Sequence, residues 1–201
     1  TCLPATEVAR LHRSLPSDVL LVLDAAYAEF VEIDGFDPGI ELARDAANVV
    51  MTRTFSKAYG LAGLRLGWCY APVEVVDVLN RLRGPFNVSA AAQAAGVAAL
   101  HDQAFLREVQ NHNRRWLPWL TEQLTQLGLT PVTSHANFIL VQFPGGAVEA
   151  SAANAHLVND GILVRQMDSY GLHDCLRITI GPAKSIEALV GSLRSFTGRA
   201  A

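Results

Sequence analysis

The sequence predicts an α/β fold in two regions. Short apolar runs that stop at turn or polar residues, such as residues 19–23, alternate with helical stretches of 3.6-residue period, such as Val75, Val78, Leu79 and Leu82. A long polar helical segment over residues 102–127 separates the two regions, which places the domains at residues 1–105 and 106–201. Half of the 201 residues are hydrophobic and 17% are charged, enough apolar side chain for one substantial domain or two small ones.

The elements follow in order. Pro4 opens a helix with Val8, Leu11 and Leu15 on one side, and Pro16 closes it. Residues 19–23 are continuously apolar up to Asp24, as expected of a strand buried on both faces of a parallel sheet. Such a strand wants neighbours on both sides, so the fold is expected to begin upstream of Thr1. Gly35, Pro38 and Gly39 mark a loop. Strands are expected at residues 48–53 and 66–70, the first two being far enough apart for a parallel crossover. Helices follow between Pro72 and Gly84 and over the alanine-rich residues 89–100, where small side chains allow close packing. After the long helix, which ends at Gly128, strands at 137–143, 162–165 and 176–180 alternate with helices at 147–159 and 184–196.

The bulk numbers exclude several functions. A net charge of -3 gives no electrostatic reason for binding nucleic acid or an anionic membrane surface. The longest apolar run is far below a membrane span. Cys2, Cys69 and Cys175 contain no C-x-x-C pair and read as incidental thiols of a cytoplasmic protein. The six histidines form no cluster with ligand spacing, so no metal site is expected.

Chemistry gathers at strand ends. Asp24 and Tyr27 follow the first strand, and a carboxylate beside a wholly apolar strand is costly unless a cation or strong donor meets it. Thr54, Ser56, Lys57 and Arg65 bring two hydroxyls and two cations together among Gly60, Gly63 and Gly67, a set suited to phosphate. The spacing matches neither a P-loop nor a dinucleotide fingerprint. Arg177 alternates with Leu176 and Ile178 and so points away from the face they bury. Taken singly, Asp24 could be a turn residue, Lys57 a surface lysine and Arg177 a solvated strand residue.

Together these stretches resemble the aspartate-aminotransferase superfamily of pyridoxal-phosphate enzymes, fold type I. Within it they are most similar to the histidinol-phosphate aminotransferase family. The resemblance runs through L-V-L-D-A-A-Y-A-E-F (21–30), T-R-T-F-S-K-A-Y-G-L-A-G-L-R-L-G-W (52–68), G-P-F-N-V (84–88), A-N-F-I-L-V (136–141) and S-Y-G-L-x-x-x-L-R-I-T-I-G (169–181). It implies that residues 1–105 are the C-terminal part of a cofactor-binding large domain with a mostly parallel sheet, and residues 106–201 a small α/β domain.

It also implies the roles. Lys57 would form the Schiff base with pyridoxal 5'-phosphate and then shuttle the proton; Asp24 would pair with the pyridine nitrogen, and Tyr27 with the ring oxygen. Thr54, Ser56 and Arg65 would hold the phosphate, Arg177 the substrate anion, and Arg165 a second anion contact. The implied reaction moves an amino group between histidinol phosphate and 2-oxoglutarate in a cytoplasmic homodimer. Ala25 departs from the glutamate that many relatives carry, and the family's Asn-Pro-Thr-Gly-type motif would precede Thr1. This chain alone is therefore expected to have negligible activity. An aromatic aminotransferase, a threonine-phosphate decarboxylase or a catalytically silent fragment stay open as alternatives. A plain phosphate binder would leave Asp24 and Tyr27 unexplained.

Overall fold

A computed structural model describes residues 2–198. The described chain forms two compact units, one over Cys2–Gln110 and one from Asn111 onward.

The first unit contains α1 (Ala5–Ser14), β1 (Leu21–Asp24), α2 (Ile40–Asp45), β2 (Val49–Thr54), β3 (Gly67–Tyr70), α3 (Val73–Leu82), α4 (Ala90–His101) and the first turns of α5 (Gln103–Gln126). Its sheet has the order β1-β2-β3, with β1 parallel to β2 and β3 antiparallel to it. The segment expected to be wholly loop contains α2. The Asp37 carboxylate caps this short helix by accepting from the Ile40 amide at 3.2 Å. Gly39, at φ +99°, precedes it, where any Cβ would strike the Leu23 side chain.

The first strand departs from expectation. Residues 19–23 are not buried on both faces: among the described residues β1 has only β2 beside it, and its residues alternate between half-buried and exposed. Leu21 and Leu23 pack on the cluster of Ala43, Val49 and Met51, while Val22 on the opposite face is 54% exposed. A continuous apolar run reports that both faces suit an apolar neighbour, but burial needs the neighbour itself.

The second unit comprises the rest of α5, then β4 (Thr130–Pro131), β5 (Phe138–Gln142), α6 (Gly146–Asn159), β6 (Arg165–Gln166), β7 (Cys175–Thr179) and α7 (Ala183–Thr197). Its sheet is wholly antiparallel, in the order β4-β5-β7-β6. One face, carrying Ile139, Val141, Leu176 and Ile178, packs on Leu120 and Leu124 of α5, Leu157 of α6, and the α7 stripe Ile186, Leu189, Val190 and Leu193. Each such side chain contributes about 1.5–3 kcal/mol by leaving water. The expected strand at 162–165 is displaced: only Arg165 and Gln166 pair with β7, while Ile162 and Val164 pack against the core edge without joining the ladder. The two-residue β4 was not foreseen, being too short to show a period. No helix among the described residues is long and apolar enough to cross a membrane.

Candidate active site

Because β1 and β2 run parallel, their carboxyl ends emerge at the same edge of the sheet, the edge where open α/β sheets bind ligands. Asp24 ends β1 opposite Thr52, and the ladder closes one step later with the Ala25 amide donating to the Thr52 carbonyl at 3.0 Å. The exposed Asp24 carboxylate accepts from the Ala26 amide at 3.1 Å and, at the limit of reach, from the Thr52 hydroxyl at 3.5 Å. No cation among the described residues pairs with it, so it keeps acceptor capacity directed outward.

Lys57 lies in the loop after β2. The Thr54 hydroxyl accepts from the Ser56 amide at 3.0 Å, and the Gly60 amide donates to the Lys57 carbonyl at 2.9 Å, which closes the turn around the lysine. Its flanking residues anchor it: Phe55 is 4% exposed, and Ala58 is fully buried beside Phe30 and Leu106. Gly96 of α4 sits where a Cβ would collide with the Leu66 side chain and touch Phe55, so the alanine-rich helix packs closely, as expected. The Lys57 ammonium has no hydrogen-bond partner among the described residues; it stands 5.2 Å from the Tyr27 ring centroid.

Arg65 adopts a left-handed conformation at φ +53°, uncommon outside glycine. Its guanidinium donates to the Ala62 carbonyl at 2.8 Å and reaches the Ser56 hydroxyl at 3.5 Å. Ser56 and Arg65 thus converge, and no carboxylate among the described residues pairs with the arginine. Hydroxyl and guanidinium meeting within one loop are a donor set suited to an anion.

The second unit holds its own cationic pair. Arg165 on β6 and Arg177 on β7 are direct cross-strand partners, on the sheet face opposite Leu176 and Ile178. Arg177 lies 4.9 Å from the Phe138 ring centroid and Arg165 5.8 Å from that of Tyr170. The buried Nε of Arg177 has no hydrogen-bond partner. Like charges placed directly opposite are unfavourable unless an anion bridges them.

Sequence reasoning missed Glu29 and Arg53, whose side chains meet at 2.7 Å beside the Lys57 loop. The available signal was a charged residue inside the otherwise uncharged β2. Nearby, the Tyr59 phenol is pushed up from its ordinary value by burial first and by the Glu29 carboxylate second.

The sequence profile of the aminotransferase class I and II family matches residues 1–193. The chain belongs to that family. Among curated relatives in it, the histidinol-phosphate aminotransferase of Paramagnetospirillum magneticum is 55% identical over 98% of this chain and 55% of its own length. That of Granulibacter bethesdensis is 48% identical over the whole of this chain and 54% of its own. The chain therefore spans about half the length of the curated relatives it matches. The fold agrees: a crystal structure of histidinol-phosphate aminotransferase from Sinorhizobium meliloti in complex with pyridoxal-5'-phosphate superposes with a TM-score of 0.91. It is 34% identical, and the match covers 98% of this chain and 54% of that one.

Proposed function

We propose that the protein is a pyridoxal-phosphate aminotransferase that exchanges an amino group between histidinol phosphate and 2-oxoglutarate, acting as a homodimer in histidine biosynthesis. The observation that carries the reading is an unpaired lysine, Lys57, at the same sheet edge as an unpaired carboxylate, Asp24, beside a hydroxyl-and-guanidinium anion site. The fit to the cofactor rests on this donor set. Asp24 has acceptor capacity for a protonated ring nitrogen, Ser56 and Arg65 converge with no carboxylate of the described residues bonded to the arginine, and the Lys57 ammonium has only the Tyr27 ring beside it among them. The names borne by the two half-matched relatives and the Sinorhizobium meliloti structure support histidinol phosphate and pyridoxal phosphate in this reading.

When bound, the cofactor supplies an electron sink for the carbanion left as the substrate Cα loses its proton. The protein's residues do the rest. Lys57 holds the cofactor and moves the proton at Cα. With the cofactor bound, Asp24 would keep a proton on the ring nitrogen, Tyr27 would donate to the ring oxygen, and Thr54, Ser56 and Arg65 would hold the phosphate, Thr54 partly by shaping the turn. Arg177 and Arg165 bind the substrate's anionic group, a task for which paired guanidiniums suit phosphate and carboxylate alike.

Two lysines make the test clean. Borohydride reduction with cofactor, followed by peptide mapping, is expected to place the pyridoxyl adduct on Lys57. An adduct on Lys184, or none, would overturn the assignment. Comparing kcat/KM for histidinol phosphate with that for phenylalanine and tyrosine, in an enzyme of the relatives' full length, tests the substrate separately.

A further inference from the structure

Glu29 and Arg53 take no part in the chemistry above, yet they are the charged pair that the protein buries beside it. Arg53 Nη2 donates to Glu29 Oε1 at 2.7 Å, with the side chains 18% and 6% exposed. The pairing is incomplete: Glu29 Oε2 and Arg53 Nε are buried without partners. Taking two charges out of water is costly, and an apolar pair of similar volume is commonly as stable or more so. Fold stability is thus a poor account of this pair.

Its place in the chain gives a better one. Glu29 lies in the short 3-10 helix Ala28–Phe30 that directly follows Tyr27, in the turn that begins at Asp24. Arg53 lies between Thr52, which reaches Asp24, and Thr54, which shapes the Lys57 turn. Past the last ladder bond, from the Ala25 amide to the Thr52 carbonyl, the Asp24–Tyr27 turn is tied to β2 by this ion pair and to the Lys57 loop by the clustering of Phe30 with Ala58. The Gln110 side chain fixes Glu29 from behind by donating to its carbonyl at 2.6 Å, and the Arg53 guanidinium rests 5.8 Å from the Trp68 ring centroid on β3. Both partners are therefore held at each end.

We propose that Glu29 and Arg53 are positioning residues of the cofactor site: their ion pair clamps the Asp24–Tyr27 turn against the strand bearing Thr54 and Lys57 and so sets the separation between the ring-nitrogen carboxylate and the cofactor-bearing amine. The inference rests on the functional reading above. It deepens that reading by assigning the alignment of its two key groups to a pair that touches neither cofactor nor substrate.

The test removes both charges together, so that neither is left buried alone. Glu29→Met/Arg53→Met replaces the pair with apolar volume, and Glu29→Gln/Arg53→Gln replaces it with a neutral pair should the first misfold. Three quantities are measured: the melting temperature without cofactor, the affinity for pyridoxal phosphate, and the absorbance maximum of the lysine-bound cofactor. The expected result is melting within a few degrees of wild type, affinity weaker by at least about tenfold, the scale seen when residues that orient a site's direct contacts are lost, and a displaced absorbance maximum. Wild-type affinity and absorbance in either double variant would overturn the clamp, whatever the melting temperature does. A wild-type protein that takes no cofactor on Lys57 would overturn the functional reading and the clamp with it, and the two failures are told apart by that control.

Discussion

The two units have similar lengths and similar hydrophobic patterning but solve burial differently. In the second, the stripe Ile186, Leu189, Val190 and Leu193 of α7 is buried in a single core with the sheet and two other helices. In the first, α3 carries the same i, i+3, i+4, i+7 stripe and none of its residues is buried; α1 likewise buries none. Two small clusters serve there instead, one under β1 and β2 and one under the Lys57 loop. Periodicity therefore states which face of a helix is apolar, and only a packed neighbour makes that face a core. The unit with the weaker core carries Lys57, Asp24 and the Ser56–Arg65 contact, whereas the well-packed unit carries the cross-strand pair Arg165 and Arg177.

That contrast can be broken or sharpened by mutation. The largest effect is expected at Lys57: in an enzyme of its relatives' full length, Lys57→Ala should lower turnover about a hundred- to ten-thousandfold, the range for loss of a positioned proton carrier, with circular dichroism unchanged. Comparable turnover in that variant would remove the first unit's claim to the chemistry. Next comes Leu193→Ala, at a position with no exposure. It should cost about 2–5 kcal/mol in denaturant unfolding, while Val78→Ser, on the exposed α3 stripe, should change stability by no more than about 0.5 kcal/mol. Equal costs would mean that the α3 face is as buried as the α7 face.

In the same full-length setting, Asp24→Ala should slow turnover roughly ten- to a hundredfold through loss of a charge-assisted contact worth about 1.5–3 kcal/mol. Because Asp24 is exposed and partnered mainly by the Ala26 amide, its melting temperature should hardly move. A variant that loses stability but keeps its rate would make Asp24 a turn residue.

The smallest effect concerns pH in the second unit. Burial, then the Asp174 carboxylate, pushes the Cys175 thiol up from 9.0 to about 11. The folded state therefore binds this proton more tightly than the unfolded chain does. The associated stability is present in full below pH 9.0 and is lost as pH rises toward about 11. A melting series from pH 8 to 11 should fall more steeply for the protein than for Cys175→Ala, and alkylation of folded Cys175 at pH 8 should be slow. Parallel series would show the thiol to be solvated.

Much of this was legible in the sequence because it is local. Pro4, Pro72, Gly128 and the α7 stripe mark helix ends and faces through one residue's backbone or a fixed period. Asp24, Lys57 and Arg177 could be singled out because strand ends and alternation place them. What escaped depends on tertiary partners. The exposure of Val22 follows from the absence of a strand beyond β1 in this sheet. The Glu29–Arg53 pair joins residues on separate elements, and α2 forms where Asp37 and Gly39 give a short helix a start that no period announces.

The notch at Gly96 has an evolutionary consequence. Its missing side chain is the space that Leu66 fills beside Phe55, two residues before Lys57. The two positions share one volume, so a methyl gained at 96 must be given up at 66. Gly96→Ala alone should push on the loop that presents the lysine, and Leu66→Ala alone should leave a void next to it. Made together they should largely cancel. Related sequences are then expected to vary at these two sites in concert, large at one wherever small at the other, giving a covariation signal that reports on the Lys57 loop from a separate helix.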